Sequence, residues 1–434
     1  MSNDILIARP GGRLQGSLTV PGDKSISHRS VMLGALAEGV TEVRDCLMGE
    51  DVRATMGAFR AMGVQIEELE GGRLLRVHGV GLKGLRAPTE VLDCGNSGTS
   101  MRLLCGIVAG AGLPAILSGD DSLCRRPMRR VTEPLALMGA RIDTAAQGTP
   151  PLRIHGGSAL RGIDYVLPVA SAQVKSALLL AGLFAEGETC VTEPAVTRDH
   201  SERMLRGFGV EVRQSGAKVC IKGGQTLRAN RIMVPADISS AAFFLVGAAL
   251  HGREHLTVRA VGINPTRTGV LDILRLMGAQ LTLDNPREVG GEPVADITVH
   301  PAELHGAEIP PDLVPLAIDE FPALFVAAAC AHGRTVITGA EELRHKESDR
   351  IETMARGLRT LGVTVETLPD GMIIDGSPSL GGGTIEAHGD HRIAMAFAMA
   401  SLRAESDITL HGASAIATSF PDFVPLARAA GLRI

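Results

Sequence analysis

Aromatic residues are scarce in this chain, which has no Trp, one Tyr and ten Phe. Its core must therefore be built from aliphatic side chains, because hydrophobic residues still make up 45% of the sequence. Few aromatic rings also argue against a surface on which nucleic-acid bases stack. The formal net charge of −5 indicates the same, since general nucleic-acid binders usually carry a basic face.

Long hydrophobic runs are missing as well. The longest apolar stretches, such as AAFFLVGAAL, run about ten residues, whereas a membrane-spanning helix needs about 20. The first residues, MSNDILIARPGG, lack a basic segment followed by a long apolar one, so no signal peptide is expected. We therefore expect neither a membrane nor a nucleic acid among the partners.

Cysteine pairs with metal-ligand spacing are also absent. The seven Cys are odd in number and scattered, and none forms a C-x-x-C pair. Since the thirteen His do not cluster with them, no metal site is predicted. We expect reduced thiols, no disulfide framework and a cytoplasmic location.

The chain contains a sixfold repeat, in which a short polar motif runs into an apolar helix rich in small residues. The six motifs start at Lys24, Asn96, Ser171, Asp237, Asp319 and Gly389. They are spaced by roughly 66 to 82 residues, which is longer than one solenoid repeat. Helix N-termini bind anions, because their first N–H groups are free and the helix dipole is positive there. Six such starts predict a site for an anionic ligand.

The domain organisation follows from how the repeats begin and end. Each repeat continues with an amphipathic helix and two strands, which predicts an α/β protein of βαβαββ units. The sixth repeat lacks closing strands, while the N-terminal segment is strand-like and has no helix before it. We therefore predict two similar domains of three units each, residues 22–236 and residues 1–21 with 237–434. The ligand is expected in the cleft between them; the alternative is one continuous solenoid.

Basic side chains lie at the first helix starts. Lys24, Ser25 and Arg29 stand in PGDKSISHR, where an ammonium and a planar guanidinium suit phosphate or carboxylate. The spacing is not that of a P-loop, and the alternative is a capped helix with solvated charges. Gly98 in GNSGTSMR allows close approach of a ligand to the backbone, although such a turn is often only a turn.

Further cations and neutral donors follow in the second and third repeats. Of the four Arg in RRPMRR we expect Arg126 to point inward; the alternative is a solvated basic face. Ser171 and Gln173 in SAQVK, and Arg198 in TRDH, add a mixture of donors that suits a hydroxylated, anionic small molecule.

The last two repeats supply acids. Asp319 opens a helix, and KESDR places Lys346 and Arg350 on one helical face with Glu347 nearby; a surface charge run is the alternative. Arg392 follows at the last helix start. We predict that seven cations converge, with Asp319 and Glu347 as the only acids among them. The cations are Lys24, Arg29, Arg126, Arg198, Lys346, Arg350 and Arg392.

Seven motifs in fixed order together resemble the 5-enolpyruvylshikimate-3-phosphate synthase family of enolpyruvyl transferases. They are PGDKSISHR, GNSGTSMR, RRPM, SAQVK, RDHSE, LRHKESDR and GDHRIAM, and the similarity covers essentially the whole chain. The resemblance implies two domains, each of three βαβαββ units around a pseudo-threefold axis. It also implies transfer of the enolpyruvyl group of phosphoenolpyruvate to the 5-hydroxyl of shikimate 3-phosphate, a step of aromatic amino-acid biosynthesis.

The resemblance implies roles for individual residues. Asp319 would accept the hydroxyl proton, with Lys346 as an alternative, Glu347 would deliver a proton, and Lys24 would contact both substrates. The positions implied for shikimate 3-phosphate are Lys24, Ser25, Arg29, Ser171, Ala172, Gln173, Arg198, Asp319 and Lys346. Those implied for phosphoenolpyruvate are Lys24, Gly98, Arg126, Gln173, Arg350 and Arg392. Neither a cofactor nor a metal is implied, and a monomer is expected.

Some positions depart from the family pattern. Ala172 stands where many relatives have Ser, Thr418 where many have Lys, and Leu103 where the same branch has Pro. SAQVK, RDHSE and NPTR are similar instead to a branch with low sensitivity to glyphosate, while Gly98 keeps the small residue that admits the inhibitor. We expect intermediate to low sensitivity.

Two other functions remain as alternatives. A UDP-N-acetylglucosamine enolpyruvyl transferase shares the implied fold, but it should have Asn at Ser25 and a reactive Cys at Asp121. Cys124 lies three residues from that position. A non-catalytic anion-binding protein of the same fold would not need Asp319 and Glu347 beside the cations. An RNA-processing cyclase fits less well with the acidic charge and scarce aromatics.

Overall fold

The computed structural model describes residues 4–251 and 254–434. The chain forms two compact units, which we call the first and the second unit. The first unit comprises Gly22–Val234 and Val289–Gly291; the second comprises the described residues of Met1–Pro21, Pro235–Glu288 and Glu292–Ile434.

The unit boundaries differ slightly from those predicted. Pro235 and Ala236 belong to the second unit rather than the first, because Ala236 bridges to Val261 and its N–H donates to the Ala260 carbonyl at 2.9 Å. The short turn 289–291 belongs to the first unit, where Arg203 donates to the Gly291 carbonyl at 3.1 Å.

The helices alternate between two kinds along the chain. Their bounds are α1 Lys24–Leu36, α2 Glu50–Ala61, α3 Gly98–Gly110, α4 Asp121–Cys124, α5 Arg129–Leu137, α6 Ala172–Gly182, α7 His200–Gly207, α8 Ile238–His251, α9 Gly269–Leu276, α10 Phe321–Ala329, α11 Arg350–Thr360, α12 His391–Ala400 and α13 Phe423–Ala430. Helices α1, α3, α6, α10 and α12 are buried on nearly all sides. Helices α2, α5, α7, α9 and α11 bury one stripe, as amphipathic helices do.

The strands of the described residues are short and form six sheets. Their bounds are β1 Ile5–Ala8, β2 Gly16–Leu18, β3 Ala37–Arg44, β4 Gln65–Leu69, β5 Leu74–Val80, β6 Leu92–Asp93, β7 Ala115–Ser118, β8 Ile142–Asp143, β9 Leu152–Ile154, β10 Asp164–Val166, β11 Glu188–Thr192, β12 Val212–Ser215, β13 Lys218–Lys222, β14 Leu227–Arg228, β15 Arg231–Met233, β16 Leu256–Gly262, β17 Gln280–Val289, β18 Glu292–His300, β19 Arg334–Ile337, β20 Thr364–Leu368, β21 Gly371–Asp375, β22 Gly383–Glu386 and β23 Ile408–His411.

Each unit contains three sheets, one for each repeat. In the first unit their strand orders are β14-β3-β5-β4 with β15 also on β3, β6-β7-β9-β8, and β10-β11-β13-β12. In the second unit they are β17-β18-β16-β2, β19-β21-β20 and β1-β23-β22. The fifth repeat departs from the predicted pattern, because its first strand is reduced to isolated bridges such as Glu308 with Val336.

Two strands near the N-terminus complete sheets of repeats that lie far away in the sequence. Strand β1 runs antiparallel to β23, with Ile5 opposite His411, and so supplies an edge that the sixth repeat lacks. Strand β2 runs parallel to β16, with Gly16 opposite Leu256. Each unit has its own core of buried aliphatic side chains, in which the helices rich in Ala and Leu pack against the sheets.

Two of the seven cysteines form a disulfide bond, contrary to the expectation of reduced thiols. Cys190 and Cys220 lie opposite each other on the antiparallel strands β11 and β13 and are bonded, while the other five are free thiols. The sequence spacing of 30 residues hides this pair, because only the strand register brings the two together. Within the described part of the chain, no helix is both long and apolar enough to cross a membrane.

Candidate active site

The start of α1 presents Lys24 to a carboxylate. Asp23 caps this helix by accepting a hydrogen bond from the Ile26 N–H at 2.8 Å. Lys24 Nζ donates to Asp51 Oδ2 at 2.9 Å, and Asp51 is buried in the first turn of α2. An ammonium group has three N–H donors, so this contact leaves donors for a bound anion.

Arg29 lies one turn further along α1 and is buried. Its Nε donates to Ser201 Oγ at 2.7 Å, and its Nη2 donates to Ser176 Oγ at 2.8 Å. Nη1 donates to the carbonyl of Ser25 at 2.9 Å. The guanidinium therefore joins α1 to α6 and α7, which fixes its orientation.

The start of α3 brings two guanidinium groups against Gly98. A Cβ atom added at Gly98 would lie 3.2 Å from Arg126 Nη1 and 3.3 Å from Arg102 Nη1. Arg126 is 7% exposed, and its Nη2 donates to Asn96 Oδ1 at 2.8 Å. The small residue thus lets two cations approach the N-terminus of a helix, an arrangement that favours an anion.

Gln173 connects this region to α6. Its Nε2 donates to Thr99 Oγ1 at 3.0 Å, and Arg102 Nη1 donates to its Oε1. Ser171 is the N-cap of α6 and accepts from the Val174 N–H at 3.4 Å, while Ala172 is the buried first helical residue. Arg198 is half-buried in the segment before α7. We call Lys24, Arg29, Gly98, Arg102, Arg126 and Gln173 the first-unit cluster.

A buried histidine ties these helix starts together. His28 Nδ1 lies 2.8 Å from Thr55 Oγ1, which lies 2.7 Å from Ser100 Oγ, so α1, α2 and α3 share one network. Burial, followed by the charges of Lys24 and Arg29, holds the pKa of His28 well below its usual value. The imidazole is therefore neutral around pH 7.

In the second unit, Asp319 lies between two cations. Lys346 Nζ is 3.2 Å and Arg350 Nη1 is 3.6 Å from Asp319 Oδ1. Arg392 Nη1 donates to the backbone carbonyl of Asp319 at 2.9 Å. The carboxylate thus stands at the start of α10, next to an ammonium group with which it can exchange a proton.

Arg350 is the centre of this second group and has no exposed side-chain surface. Its Nε donates to Asp390 Oδ2 at 2.8 Å and its Nη2 donates to Glu347 Oε2 at 2.6 Å. Burial alone would lower the pKa of Arg350, but Asp390, Glu347 and Asp319 outweigh it and raise the pKa above its ordinary value. Nη1 makes no hydrogen bond to any described residue. We call Asp319, Lys346, Glu347, Arg350, Asp390 and Arg392 the second-unit cluster.

Two predictions about local structure are wrong. Lys346 is not on the helix of Arg350, because α11 begins at Arg350 with Asp349 as its N-cap and Lys346 has an extended backbone. Asp319 and Glu347 are also not the only acids among the cations. Asp51 contacts Lys24, and Asp390 contacts Arg350.

Asp51 and Asp390 belong to the site but could hardly be recognised as site residues from the sequence. Asp51 stands in the first turn of α2, and an acid there is usually interpreted as favouring the helix dipole. Asp390 caps α12 by accepting a hydrogen bond from the Arg392 N–H at 3.0 Å. This capping role is reason enough for an Asp at this position, so the sequence gives no indication of its contact with Arg350. Thr418, a departure from the family pattern, lies with Oγ1 3.3 Å from His391 Nδ1, next to Arg392.

The two clusters have the chemistry of anion binding and proton transfer. The first-unit cluster offers cations and amide donors, and the second-unit cluster adds three carboxylates beside an ammonium and buried guanidinium groups. Among the described residues, one group has metal-like spacing, namely Glu188, Cys190 and Cys220, and its two sulfurs form the disulfide.

Comparison with known proteins gives a consistent result. The family profile of EPSP synthase (3-phosphoshikimate 1-carboxyvinyltransferase) matches residues 8–426. A 3-phosphoshikimate 1-carboxyvinyltransferase of Methylococcus capsulatus is 65% identical over 430 residues, which cover 99% of this chain and 98% of the relative. One of Alkalilimnicola ehrlichii is 64% identical over 426 residues, covering 98% and 95%.

Solved structures similar to this chain also include enolpyruvyl transferases. An EPSP synthase from Acinetobacter baumannii is 55% identical, with a TM-score of 0.87, and the match covers 99% of this chain and 98% of that one. The enolpyruvyl transferase NikO from Streptomyces tendae is 20% identical with a TM-score of 0.79 over 99% and 98%, and shows the fold alone. The predicted fold class is confirmed. Because the profile and the relatives span nearly all of its length, this chain belongs to the EPSP synthase (3-phosphoshikimate 1-carboxyvinyltransferase) family.

Proposed function

We propose that this chain transfers the enolpyruvyl group of phosphoenolpyruvate to the 5-hydroxyl of shikimate 3-phosphate and releases inorganic phosphate. Apart from family membership, the observation that supports this reaction is the second-unit cluster. There Asp319 lies 3.2 Å from the Lys346 ammonium, and Glu347 contacts the buried Arg350 guanidinium. In a pure anion-binding site, Asp390 alone would suffice to hold Arg350, and the further carboxylates Asp319 and Glu347 would only cancel positive charge.

The substrates account for the number of cations. Each carries a phosphate and a carboxylate, so together they bring several negative charges that must be paired when water is excluded. Phosphoenolpyruvate contacts Lys24, Gly98, Arg126, Gln173, Arg350 and Arg392. Shikimate 3-phosphate contacts Lys24, Ser25, Arg29, Ser171, Gln173, Arg198, Asp319 and Lys346, with only backbone and methyl contact at Ala172.

The reaction needs one proton acceptor and one proton donor. The 5-hydroxyl oxygen attacks C2 of phosphoenolpyruvate while its proton passes to the Asp319 carboxylate; Lys346 shares that role when it is the neutral amine. Glu347 delivers a proton to C3, giving a tetrahedral ketal phosphate. Glu347, now a carboxylate, then takes a proton back from C3 while the C2–O bond to phosphate breaks, which restores the double bond as an enol ether, and the proton held by Asp319 leaves with the phosphate. These steps require proton transfer and charge stabilisation by side chains, without a cofactor or metal.

Both clusters act on the same reaction in this proposal, and kinetics can test that directly. Conservative changes of Arg126 in the first unit and of Arg392 in the second unit, each to Lys, should raise the KM for phosphoenolpyruvate. Lys keeps the charge but loses the planar fork that binds carboxylate and phosphate. An effect confined to one of the two variants would contradict a shared substrate.

The central test measures phosphate release with phosphoenolpyruvate and either shikimate 3-phosphate or UDP-N-acetylglucosamine as acceptor. We expect turnover only with shikimate 3-phosphate. Glu347→Gln should lower kcat by roughly 10²- to 10⁴-fold, the usual contribution of a general acid. Glu352→Gln is the matched control, because Glu352 lies on α11 and pairs with Arg356. Ligand binding without any turnover in the wild-type protein would favour the non-catalytic alternative.

We also propose that the protein acts in the cytoplasm as a monomer on these small molecules. Five of its seven cysteines are free thiols, which fits a reducing compartment, while the Cys190–Cys220 disulfide is unusual for one. Sedimentation at micromolar concentration should give a single species of 45.4 kDa. A dimer that persists on dilution would overturn the monomer, and cell fractionation tests the location.

A further inference from the structure

A group of three charged side chains lies buried in the first unit, apart from the residues assigned to the substrates. Lys175 on α6 is 1% exposed, and its Nζ lies 2.7 Å from Glu193 Oε2 and 2.7 Å from Glu202 Oε1. Glu193 and Glu202 are 6% and 0% exposed. We call Lys175, Glu193 and Glu202 the buried ion triad; with both carboxylates ionised its net charge is −1.

The triad connects three segments, two of which carry residues assigned to the acceptor, while the third, α7, contacts such a residue, Arg29. Lys175 follows Gln173 by two residues on α6. Glu193 follows β11 and accepts a hydrogen bond from Thr197 Oγ1, and Thr197 directly precedes Arg198. Glu202 lies on α7 beside Ser201, which binds Arg29 Nε at 2.7 Å.

A second link runs parallel to the triad. Ser176 and Ser201 lie 2.7 Å apart, and both accept from Arg29. Helices α6 and α7 are therefore joined twice, by Lys175 with Glu202 and by the serine pair with Arg29. Moving either helix would displace Arg29, and moving the 193–197 segment would displace Arg198.

Buried ion groups of this kind usually contribute little to the stability of the folded state. Removing charges from water is costly, and well-packed apolar residues of similar volume often serve a core equally well or better. Charged partners differ from apolar ones in being directional, since they tolerate few alternative arrangements. The advantage of an ion triad at the junction of α6, α7 and the segment before Arg198 is therefore that it fixes the position of these segments relative to one another.

We propose that the buried ion triad positions Arg198 and Arg29 for the phosphorylated acceptor, and that its loss weakens acceptor binding selectively. The proposal rests on the function proposed above. Gln173, which is assigned to both substrates, lies on α6 two residues before Lys175, whereas Gly98 lies at the start of α3 and Arg126 lies in the segment between α4 and α5. In the described part of the chain, the triad side chains contact one another and Thr197 but neither Gly98 nor Arg126. The acceptor and the phosphoenolpyruvate should therefore respond differently.

The decisive variant is Thr197→Val, which removes one hydroxyl and keeps the side-chain volume. It breaks the link from Glu193 to the residue beside Arg198 and leaves all three charges in place. A hydrogen bond to a charged group contributes more to stability than one between neutral groups. Its loss should let Arg198 leave its binding position, and we expect the KM for shikimate 3-phosphate to rise about tenfold. The KM for phosphoenolpyruvate should change less than about twofold, as the segment carries none of its contacts.

Thr189→Val is the matched control. Thr189 lies on β11, is 0% exposed, and its Oγ1 makes no hydrogen bond to any described residue. The same change there should leave both KM values as in the wild type. Lys175→Met is the stronger variant and should raise the acceptor KM further; if it does not fold, Thr197→Val still decides.

The outcomes separate this proposal from the proposed function. Absence of phosphate release by the wild type and by Thr189→Val would reject the function, while calorimetric binding of shikimate 3-phosphate to the same proteins would still test the triad. Equal KM increases for both substrates in Thr197→Val, or none, would overturn the positioning role. A lower unfolding midpoint with unchanged acceptor affinity would also overturn it.

Discussion

Arg350 Nε lies 2.8 Å from Asp390 Oδ2, and neither side chain has any exposed surface. This contact joins the first residue of α11 to the N-cap of α12. Because Arg350 also contacts Glu347 and Asp319, one buried guanidinium holds together most of the second-unit cluster.

Replacing Asp390 should therefore destabilise the second unit. Asp390→Ala removes the buried partner of Arg350 and the cap of α12, and breaking a buried pair usually costs about 3–5 kcal/mol. We expect a loss of about that size in the free energy of unfolding, measured by urea titration. Asp375→Ala is the control, because Asp375 pairs with Arg334 at the surface and should leave the midpoint nearly unchanged. Equal effects of the two changes would contradict this account.

Adding a methyl group at Gly98 should impair phosphoenolpyruvate binding. In Gly98→Ala the new Cβ would stand 3.2 Å from Arg126 Nη1 and 3.3 Å from Arg102 Nη1, so both guanidinium groups must shift by a few tenths of an ångström. We expect a higher KM for phosphoenolpyruvate, by about tenfold. Gly57→Ala on α2 is the control, since a Cβ there meets nothing within 4 Å and Ala favours the helix. A KM unchanged in Gly98→Ala would argue against an anion at this helix start.

Glyphosate inhibition tests the similarity to the less sensitive branch. We expect intermediate to low sensitivity, because SAQVK, RDHSE and NPTR are similar to that branch although Gly98 leaves space beside the cations. The measurement is the inhibition of phosphate release over a range of glyphosate and phosphoenolpyruvate concentrations. Strong inhibition at micromolar glyphosate would refute the expectation.

The buried His28 should make stability depend on pH. Its pKa is held well below the usual 6.5 in the folded protein, so below about pH 6.5 the unfolded chain binds a proton that the folded chain does not. Stability is thus fully present above that pH and falls as pH falls, by about 1.4 kcal/mol per pH unit from this group. His28→Gln should lose this part of the slope, as seen by urea unfolding between about pH 5.5 and 6.5. Above pH 7 the two proteins should have parallel profiles; a difference there would contradict the assignment to His28.

The disulfide predicts a definite thiol count. In denaturant without reductant, five thiols should react with Ellman's reagent, and all seven should react after reduction. Because the bond closes a chain of 30 residues, its reduction should lower the free energy of unfolding by roughly 3.6 kcal/mol. Cys220→Ser should give the same stability with and without reductant. Seven reactive thiols before reduction would show that the pair is reduced.

The repeated local pattern made most of the fold predictable. Polar caps such as Asp23 and Ser97 accept hydrogen bonds from the first turn of α1 and α3, so short sequence motifs mark the helix starts. The incomplete sixth repeat predicted that the N-terminal strands would complete it, and β1 does pair with β23. The 3-10 helix and extended residues before α11 could not be predicted in the same way, because the KESDR spacing also suits a continuous helix.

For the candidate site, residue type and motif singled out the cations as candidates but indicated none of their partners in the fold. Lys24 and Arg350 stand out at helix starts by residue type alone, and Arg126 stands out in the basic segment just before α5. Asp51 contacts Lys24 from 27 residues away, and Ser201 contacts Arg29 from 172 residues away. No local pattern specifies such pairs, since they arise from the packing of helices that are distant in the chain.

The amino-acid sequence by itself determined the repeats, the helix caps and the set of charged residues, because hydrophobic periodicity and capping act over a few neighbouring residues. Only the tertiary structure decided that Cys190 meets Cys220, that Lys175 is buried between two glutamates, and that Asp390 pairs with Arg350. These contacts depend on strand register and helix packing, in which side chains far apart in the chain compete for the same partners and burial determines which pair forms.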